Sequence, residues 1–259
     1  MSTVRDKLWL WGHEAGSHNG IYGLPGCSRM TPAEAAFYLG VPNLIMVRFH
    51  DRPAPPFDQY ALPFRPLKRV VWSIVGAAGK TDAGERQHVI DLATRNPNIT
   101  GVMMDDFFTT DPDKPTLSVQ ELQQVRQQLS SGGRALNLWV VLYDHQLGFP
   151  VRDHLALCDK VTFWTWKAHD LTDLERNFAR AEQLAPRAGK FLGCYMWDYG
   201  QDKPLPLPVM QQQCEIGLRW LREGRIEGVV FLASCICDLG LETVEWTRQW
   251  IAEVGEQKL

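Results

Sequence analysis

The sequence predicts an α/β protein of the (β/α)8 TIM-barrel class, with residues 1–259 forming a single domain. Three observations support this prediction. The length of 259 residues is close to that of an ordinary barrel of this class. Short apolar runs recur at intervals of roughly 30 residues, as one βα unit requires, and helical patterns fill most of the gaps between them. No low-complexity linker divides the chain, so one domain is the simplest interpretation.

Eight apolar runs are the predicted strands. Several are hydrophobic almost without interruption, which is typical of parallel strands buried on both faces. Because each run is followed by a helix or a long loop, a closed parallel barrel explains them better than an open sheet does. The runs occupy residues 8–12, 43–49, 69–75, 101–106, 136–143, 160–166, 190–197 and 228–233.

The helices have their own sequence signals. Thr31, Pro32 and Glu34 have the spacing of an N-cap, a first-turn proline and a capping-box glutamate. Apolar residues three and four apart predict further helices. The crossover at 51–68 contains five prolines, which predict an irregular connection with at most a short helix. The predicted helices after the first are 82–94, 118–129, 151–157, 171–184, 209–222 and 242–254.

An open, doubly wound sheet is the alternative architecture. Such a sheet usually carries a glycine-rich turn after its first strand, but the glycines at positions 12 and 16 do not have the spacing of a dinucleotide fingerprint. Residues 75–81 resemble a phosphate-binding loop only superficially, because Ile74 stands where that motif requires a glycine. The sequence therefore argues against a nucleotide-binding function, and we expect no cofactor.

Composition excludes several kinds of partner. The net charge is −3 and no basic block is present, which argues against nucleic acid as a partner. No apolar run reaches the roughly 18–20 residues that span a bilayer, so we expect no membrane association. The first residues become polar too early for a signal peptide; we expect a cytoplasmic location, or export with a signal peptide that the sequence no longer contains. The six cysteines form no CxxC pair, which argues against a zinc ribbon. The sequence does not indicate an oligomeric state.

Acids, histidines and aromatic residues follow nearly every predicted strand. In a TIM barrel the catalytic groups come from the carboxyl ends of the strands and from the loops after them. Asp105 and Asp106, at the end of the fourth strand, are the clearest case. Neighbouring residues in a strand point to opposite faces, but where the chain turns at the strand end both carboxylates can enter one site. Two carboxylates in one site repel each other, which raises one pKa and yields a proton donor beside an ionised partner.

Aromatic residues at the later strand ends favour a carbohydrate substrate. Trp164 and Trp166 are two residues apart and hence on one strand face, and Trp197 and Tyr199 repeat this spacing. Flat side chains of this kind stack on the C–H faces of sugar rings, while acids and histidines bind the hydroxyl groups. We therefore predict an oligosaccharide or glycoconjugate substrate. The predicted substrate-binding residues are His13, Glu14, His50, Asp144, Trp164, Trp166, Trp197 and Tyr199.

The string of residues 99–108, an apolar run that ends in Asp105 and Asp106, resembles the fourth strand of glycoside-hydrolase barrels. The string from Tyr195 to Asp198 is similar to the aromatic–aspartate ending of a late strand in chitinase-like barrels. The chain departs from the chitinase-like fourth strand, which spaces three aspartates and a glutamate two residues apart. The resemblance implies a glycosidase-type site without naming a family, and it implies Asp105, Asp106 and Asp198 as catalytic carboxylates. It leaves open which aspartate donates the proton and whether the reaction retains or inverts the anomeric configuration.

Two alternatives remain from the sequence. A metal-dependent barrel hydrolase or lyase could use Asp105, Asp106, Asp144, His13 and His50 as ligands. However, no His-x-His or His-Glu-x-x-His spacing is present, and we predict no metal site. The other alternative is a carbohydrate-binding barrel without catalytic activity, in which the same acids would only bind hydroxyl groups.

Overall fold

Eight parallel strands close into a barrel, in which β1 pairs with β2 on one side and with β8 on the other. The computed structural model describes residues 2–75, 81–108, 116–131 and 133–259. The predicted TIM-barrel class is confirmed. The strands are β1 (Leu8–Gly12), β2 (Asn43–Met46), β3 (Arg69–Ser73), β4 (Ile99–Met104), β5 (Asn137–Tyr143), β6 (Lys160–Trp164), β7 (Gly189–Tyr195) and β8 (Gly228–Leu232).

A helix follows each strand, and the predicted helices are confirmed with differences at their ends. The capping box forms as predicted, because the Glu34 amide donates to the Thr31 hydroxyl and the Thr31 amide donates to the Glu34 carboxylate at 2.8 Å. A 3-10 helix, Ala168–Asp173, occupies the beginning of the predicted 171–184 helix. The helices are α1 (Pro32–Leu39), α2 (Asp58–Ala61), α3 (Ala83–Arg95), α4 (Val119–Ser131), α5 (Arg152–Leu155), α6 (Leu174–Leu184), α7 (Leu207–Arg222) and α8 (Glu242–Val254).

The proline-rich crossover is irregular, as predicted, and contains only the one-turn α2 and a short 3-10 helix. Arg48 holds its first part in place. The Arg48 guanidinium donates to the carbonyl oxygens of Asp51 at 2.8 Å and Pro53 at 2.9 Å, and it also pairs with Glu85 of α3. The segment 75–81, which superficially resembles a phosphate-binding loop in the sequence, lies mostly outside the described residues.

Large aromatic side chains fill the amino-terminal half of the barrel interior. Trp9, Trp139 and Phe191 pack with ring centroids 4.3 to 5.9 Å apart. Gly101 makes this packing possible, because a Cβ atom there would lie 2.8 Å from Nε1 of Trp139. The guanidinium of Arg69 covers the Trp9 ring at 4.7 Å and closes this end.

A second aromatic layer lies two residues further along the strands. Trp164 contacts Trp11 with 5.3 Å between ring centroids, and it contacts Tyr195 with 5.0 Å. A Cβ atom on Gly193 would lie 2.1 Å from the Trp164 ring, so only glycine leaves room for the indole inside the barrel. This layer forms the floor of a cavity that opens at the carboxyl ends of the strands.

Several strands end earlier than the apolar runs predict. Ladder pairing stops at Met104 in β4 and at Tyr195 in β7, whereas the runs continue to 106 and 197. The reason is that the next residues, such as Phe107 and Met196, remain buried as the chain folds over the barrel mouth. Hydrophobicity therefore marks burial at these positions and not strand pairing.

Candidate active site

Asp105 and Asp106 both line the cavity at the carboxyl end of the barrel. They follow β4 directly, and Asp106 has a positive φ of 47°. This left-handed conformation, which aspartate tolerates better than most residues, turns the chain at the strand end. The turn explains how two consecutive side chains reach the same cavity.

The surroundings of the two carboxyl groups shift their pKa values to different extents. Burial raises the pKa of Asp105 well above its ordinary value of 3.8, and the negative charge of Asp106 raises it further. Burial also raises the pKa of Asp106, but the hydrogen bond from Tyr143 and the charge of His145 work in the opposite direction. Asp105 is therefore the more readily protonated member of the pair, and Asp106 the more readily ionised one.

The cavity has a volume of about 520 Å³, within the range of small-ligand sites. Most of its wall is aromatic, and the two aspartates are the acidic residues among the described lining. The lining residues are Trp11, His13, His18, Tyr22, Phe49, Asp105, Asp106, Phe108, Tyr143, His145, Gln146, Trp164, Trp166, Tyr195, Tyr199 and Leu232.

The end of β5 braces the acid pair. The Tyr143 hydroxyl donates to Oδ1 of Asp106 at 3.1 Å. Gln146 is buried, accepts from the Tyr143 amide at 2.9 Å and donates to the Phe108 carbonyl at 2.8 Å. One side chain thus connects the chain beyond β4 to the end of β5, which fixes the position of Asp106 relative to Tyr143.

The segment after β1 contributes a wall of histidine and tyrosine side chains. Nδ1 of His18 lies 3.1 Å from the Tyr199 hydroxyl, and the His18 ring contacts those of His13 and Tyr22. Burial lowers the pKa of His18 to about 4. Burial and the neighbouring His18 lower the pKa of His13 well below its ordinary value. Both imidazoles are therefore neutral near neutral pH, which suits the binding of hydroxyl groups.

Hydrogen bonds tie this segment to neighbouring loops. Asn19 exchanges two hydrogen bonds with the backbone of Ser28, and the Asp238 carboxylate accepts from the amide of Arg29 at 2.8 Å. The indole N–H of Trp197 donates to the Tyr22 carbonyl at 2.8 Å. Hydrogen bonds to the loops after β7 and β8 therefore hold this wall in position.

The structure brings together six of the predicted site residues. They share one cavity although they come from β1, β4, β6 and the loop after β7, and they are His13, Asp105, Asp106, Trp164, Trp166 and Tyr199. Trp164 is only 1% exposed and donates to Thr162 at 3.0 Å, so it offers little surface to a ligand. Trp166 is half-buried and presents the larger face.

The structure places the predicted catalytic residue Asp198 outside the cavity lining. Its side chain is buried, and among the described residues neither of its carboxylate oxygens has a hydrogen-bond partner. The Asp198 amide donates to the carbonyl of Lys203. β7 ends at Tyr195, so the alternation of inward side chains does not extend to position 198, and the catalytic role of Asp198 stays a prediction.

Four further predicted substrate-binding residues also lie outside the lining. Trp197 is buried, and its indole hydrogen bond to Tyr22 gives it a bracing position. The His50 ring stacks on Phe49 with 4.2 Å between centroids, and it is Phe49 that reaches the cavity. Glu14 lies 4.0 Å from Arg52, and Asp144 accepts from the backbone of the turn after β5.

The sequence reasoning missed most of the aromatic lining. Trp11 and Tyr195 could have been found, because they lie on the same strand faces as His13 and Gly193 respectively. His18 and Tyr22 stand in an irregular segment, where no periodic signal identifies them. Tyr143 and His145 flank the predicted substrate-binding residue Asp144 at the end of the fifth strand, and that position was the signal that could have found them.

Two negative findings apply to the residues that the structure describes. No group of three or more His, Cys, Asp or Glu side chains is arranged there to hold a metal ion. Within the same ranges, no helix is long and apolar enough to cross a membrane.

Comparisons with known proteins place the chain by its fold. No protein-family model and no curated protein sequence matches it. Solved structures do match over nearly the whole chain. A proposed α-L-fucosidase from Bacteroides thetaiotaomicron has a TM-score of 0.59 at 11% identity, covering 100% of this chain and 98% of the other.

Two other similar structures also carry glycosidase names. The GH113 β-mannanase from Alicyclobacillus acidocaldarius has a TM-score of 0.56 at 10% identity, covering 98% of each chain. A family 18 chitinase from Crocus vernus has a TM-score of 0.55 at 10% identity, covering 95% of this chain and 97% of the other. The likeness to glycoside-hydrolase barrels is confirmed for the fold, and no family is assigned. At such identities the likeness carries the fold alone, because one barrel supports many chemistries.

Proposed function

We propose that the protein is a glycoside hydrolase in which Asp105 and Asp106 cleave a glycosidic bond by acid/base catalysis. The observation that carries this proposal is the placement of two carboxyl groups with different ionisation in one aromatic cavity at the carboxyl ends of the strands. The names of the similar structures support it, since each denotes an enzyme that acts on a glycoside or polysaccharide.

The two aspartates take different roles in this proposal. In this proposal Asp105, whose pKa burial raises well above its ordinary value, is the acid that donates a proton to the leaving-group oxygen. Asp106, which accepts a hydrogen bond from Tyr143, stays ionised more easily. It then stabilises the positive charge that develops on the sugar ring, or activates the attacking group.

The attacking group follows from the shape of the site. Consecutive residues place both acids at one strand end, and no third acid lines the cavity among the described residues. Water, or a group of the substrate itself, attacks the anomeric carbon in this proposal.

The aromatic wall binds the sugar. Trp166, Tyr195 and Tyr199 line the cavity around the acid pair, and their faces suit the C–H faces of a sugar ring. The neutral imidazoles of His13 and His18 suit its hydroxyl groups. A neutral oligosaccharide or glycoconjugate fits this combination of apolar faces and uncharged polar groups.

A screen of aryl glycosides and natural oligosaccharides tests the proposal. The panel includes hexosides, deoxyhexosides and N-acetylhexosaminides in both anomeric forms, and product release is followed with and without a chelator. We expect hydrolysis of at least one class by the wild type. We expect Asp105→Asn and Asp106→Asn to lose it, while the exposed control Asp170→Asn keeps it.

Other outcomes identify the alternatives. Hydrolysis that the chelator abolishes would favour a metal-dependent enzyme. Glycan binding without cleavage, unchanged in both aspartate variants, would favour a carbohydrate-binding barrel. Either result would contradict the proposed chemistry.

A further inference from the structure

The 3-10 turn Asp144–Gln146 after β5 places an imidazole near the acid pair. His145 lines the cavity, and its ring stacks on that of Tyr143 with 5.3 Å between centroids and 13° between planes. The same Tyr143 donates its hydroxyl proton to Asp106 at 3.1 Å. A titratable group is therefore packed against the residue that holds Asp106.

Asp144 holds this imidazole from the other side. Nδ1 of His145 lies 3.6 Å from Oδ1 of Asp144, which also accepts from the amides of His145 at 2.9 Å and Trp166 at 3.3 Å. Burial works to raise the pKa of Asp144, but the hydrogen bonds from His145 and Trp166 outweigh it, and the net direction is downward. Asp144 is thus a carboxylate that contacts the His145 ring and amide and holds the imidazole beside Tyr143.

The other titratable groups around Asp106 are acids and phenols. Asp105 is its neighbour at the end of β4, Tyr143 lies at the end of β5, and Tyr195 lies at the end of β7. Tyr22 approaches from the segment after β1. Among these described groups His145 is the basic side chain.

We propose that His145, held by Asp144 and stacked on Tyr143, stabilises Asp106 as the carboxylate of the pair, so that Asp105 serves as the proton donor. His145 is a positioning residue here, because it acts through Tyr143 and through its charge and needs no contact with substrate. Asp144 acts through His145, which gives the predicted substrate-binding residue a role outside the cavity. This inference rests on the proposed function for its importance, but the ionisation of Asp106 can be measured without any substrate.

The direction of the effect follows from the charge. Burial raises the pKa of Asp106, and the positive charge of His145 works against that rise by opposing protonation of the carboxylate. Removal of the charge lets Asp106 protonate at a higher pH. The acidic limb of the pH–rate profile then moves to higher pH, while the basic limb, set by loss of the Asp105 proton, moves less.

The test is a carboxyl-¹³C NMR titration of aspartate-labelled protein, with signals assigned from Asp105→Asn and Asp106→Asn. His145→Gln removes the charge and His145→Lys restores it. His169→Gln is the matched control, because His169 pairs with Asp170 at 3.2 Å but does not line the cavity. Circular dichroism verifies that each variant is folded.

We expect the Asp106 signal to titrate at higher pH in His145→Gln and at wild-type pH in His145→Lys and His169→Gln. In turnover, His145→Gln then loses activity several-fold at the acidic limb through kcat, with KM little changed. An Asp106 titration that His145→Gln leaves unchanged would overturn the inference, and so would equal shifts in His145→Gln and His145→Lys. Absence of any hydrolysis would count against the proposed function and not against this inference, because the titration is read without substrate.

Discussion

Three acids at the amino-terminal mouth of the barrel and the Asp105–Asp106 pair at the carboxyl-terminal mouth differ in their charged neighbours. Three acids that precede strands at the amino-terminal mouth have cationic partners: Asp6 with Lys68 at 2.9 Å, Glu227 with Lys160 at 2.6 Å, and Asp159 with Arg126. At the carboxyl-terminal mouth, Asp105 and Asp106 have no ion-pair partner among the described residues. Pairing stabilises a carboxylate, and unpaired burial keeps a carboxyl group reactive.

The aromatic layers differ in the same way. Trp9, Trp139 and Phe191 fill the amino-terminal interior and are closed off by Arg69. The carboxyl-terminal layer around Trp164 and Tyr195 forms a cavity floor instead. The difference indicates that one end of the barrel supplies stability and the other supplies a site, as in other TIM barrels.

The largest expected effect is on catalysis by the unpaired acids. Asp105→Asn should lower kcat by about 10²–10⁴-fold, the usual contribution of a general acid. It should not lower the midpoint of thermal unfolding, because burial disfavours the charged form of the carboxyl group that the neutral amide replaces. Initial rates and differential scanning calorimetry measure the two quantities.

Asp159→Asn is the matched change at the other mouth. Asp159 accepts from Arg126 at 2.7 Å and from the Leu138 amide at 2.8 Å, so this variant should unfold at lower temperature and keep its kcat per folded molecule. The contrast between the two mouths would fail if both variants lost the same property.

The next largest effect is on the stability of the closed end. Trp139→Ala removes a buried indole from the aromatic plug and should lower the free energy of unfolding by about 3–5 kcal/mol. Chemical denaturation measures this change. The folded fraction should keep the wild-type KM, since Trp139 does not line the cavity.

A smaller effect is expected at the open end. Trp166→Ala removes a half-buried ring from the cavity wall and should raise KM roughly tenfold, equivalent to about 1.4 kcal/mol of binding. Trp246→Ala serves as the control, because Trp246 stacks on Trp250 of α8 away from the cavity. If the two substitutions changed KM equally, the proposed role of Trp166 in binding the sugar would be contradicted.

The smallest effect is on the pH dependence of stability, where the two mouths should differ in sign. Asp105 has a raised pKa in the folded state, so its contribution to stability is present below pH 3.8 and is lost as the pH rises through the raised value. The hydrogen bond from Lys68 lowers the pKa of Asp6, so its contribution is present at neutral pH and is lost as the pH falls below 3.8.

Urea denaturation at a series of pH values measures both contributions. Asp105→Asn should gain stability relative to the wild type as the pH rises from 3.8. The loss of unfolding free energy in Asp6→Asn, relative to the wild type, should be smallest at the lowest pH. Curves that stay parallel to the wild-type curve would contradict both assignments.

The eight strands could be predicted because burial on both faces makes each a continuous apolar run, and the capping box marked α1 by local chemistry. Asp105 and Asp106 could be predicted because they end such a run. The position of the Asp198 side chain could not be predicted. The apolar run continues past the last residue of β7, so the sequence does not show where side chains stop alternating between the two faces of the strand. His18 and Tyr22 could not be predicted either, because long-range hydrogen bonds to the loops after β7 hold their segment against the cavity.

The most direct test of the acid pair is a crystal structure of Asp105→Asn with the oligosaccharide that the wild type cleaves. The proposed function predicts a sugar stacked on Trp166, with its glycosidic oxygen within about 3 Å of the side chain at position 105 and its ring beside Asp106. A sugar bound elsewhere, or one whose glycosidic bond faces away from both aspartates, would contradict it.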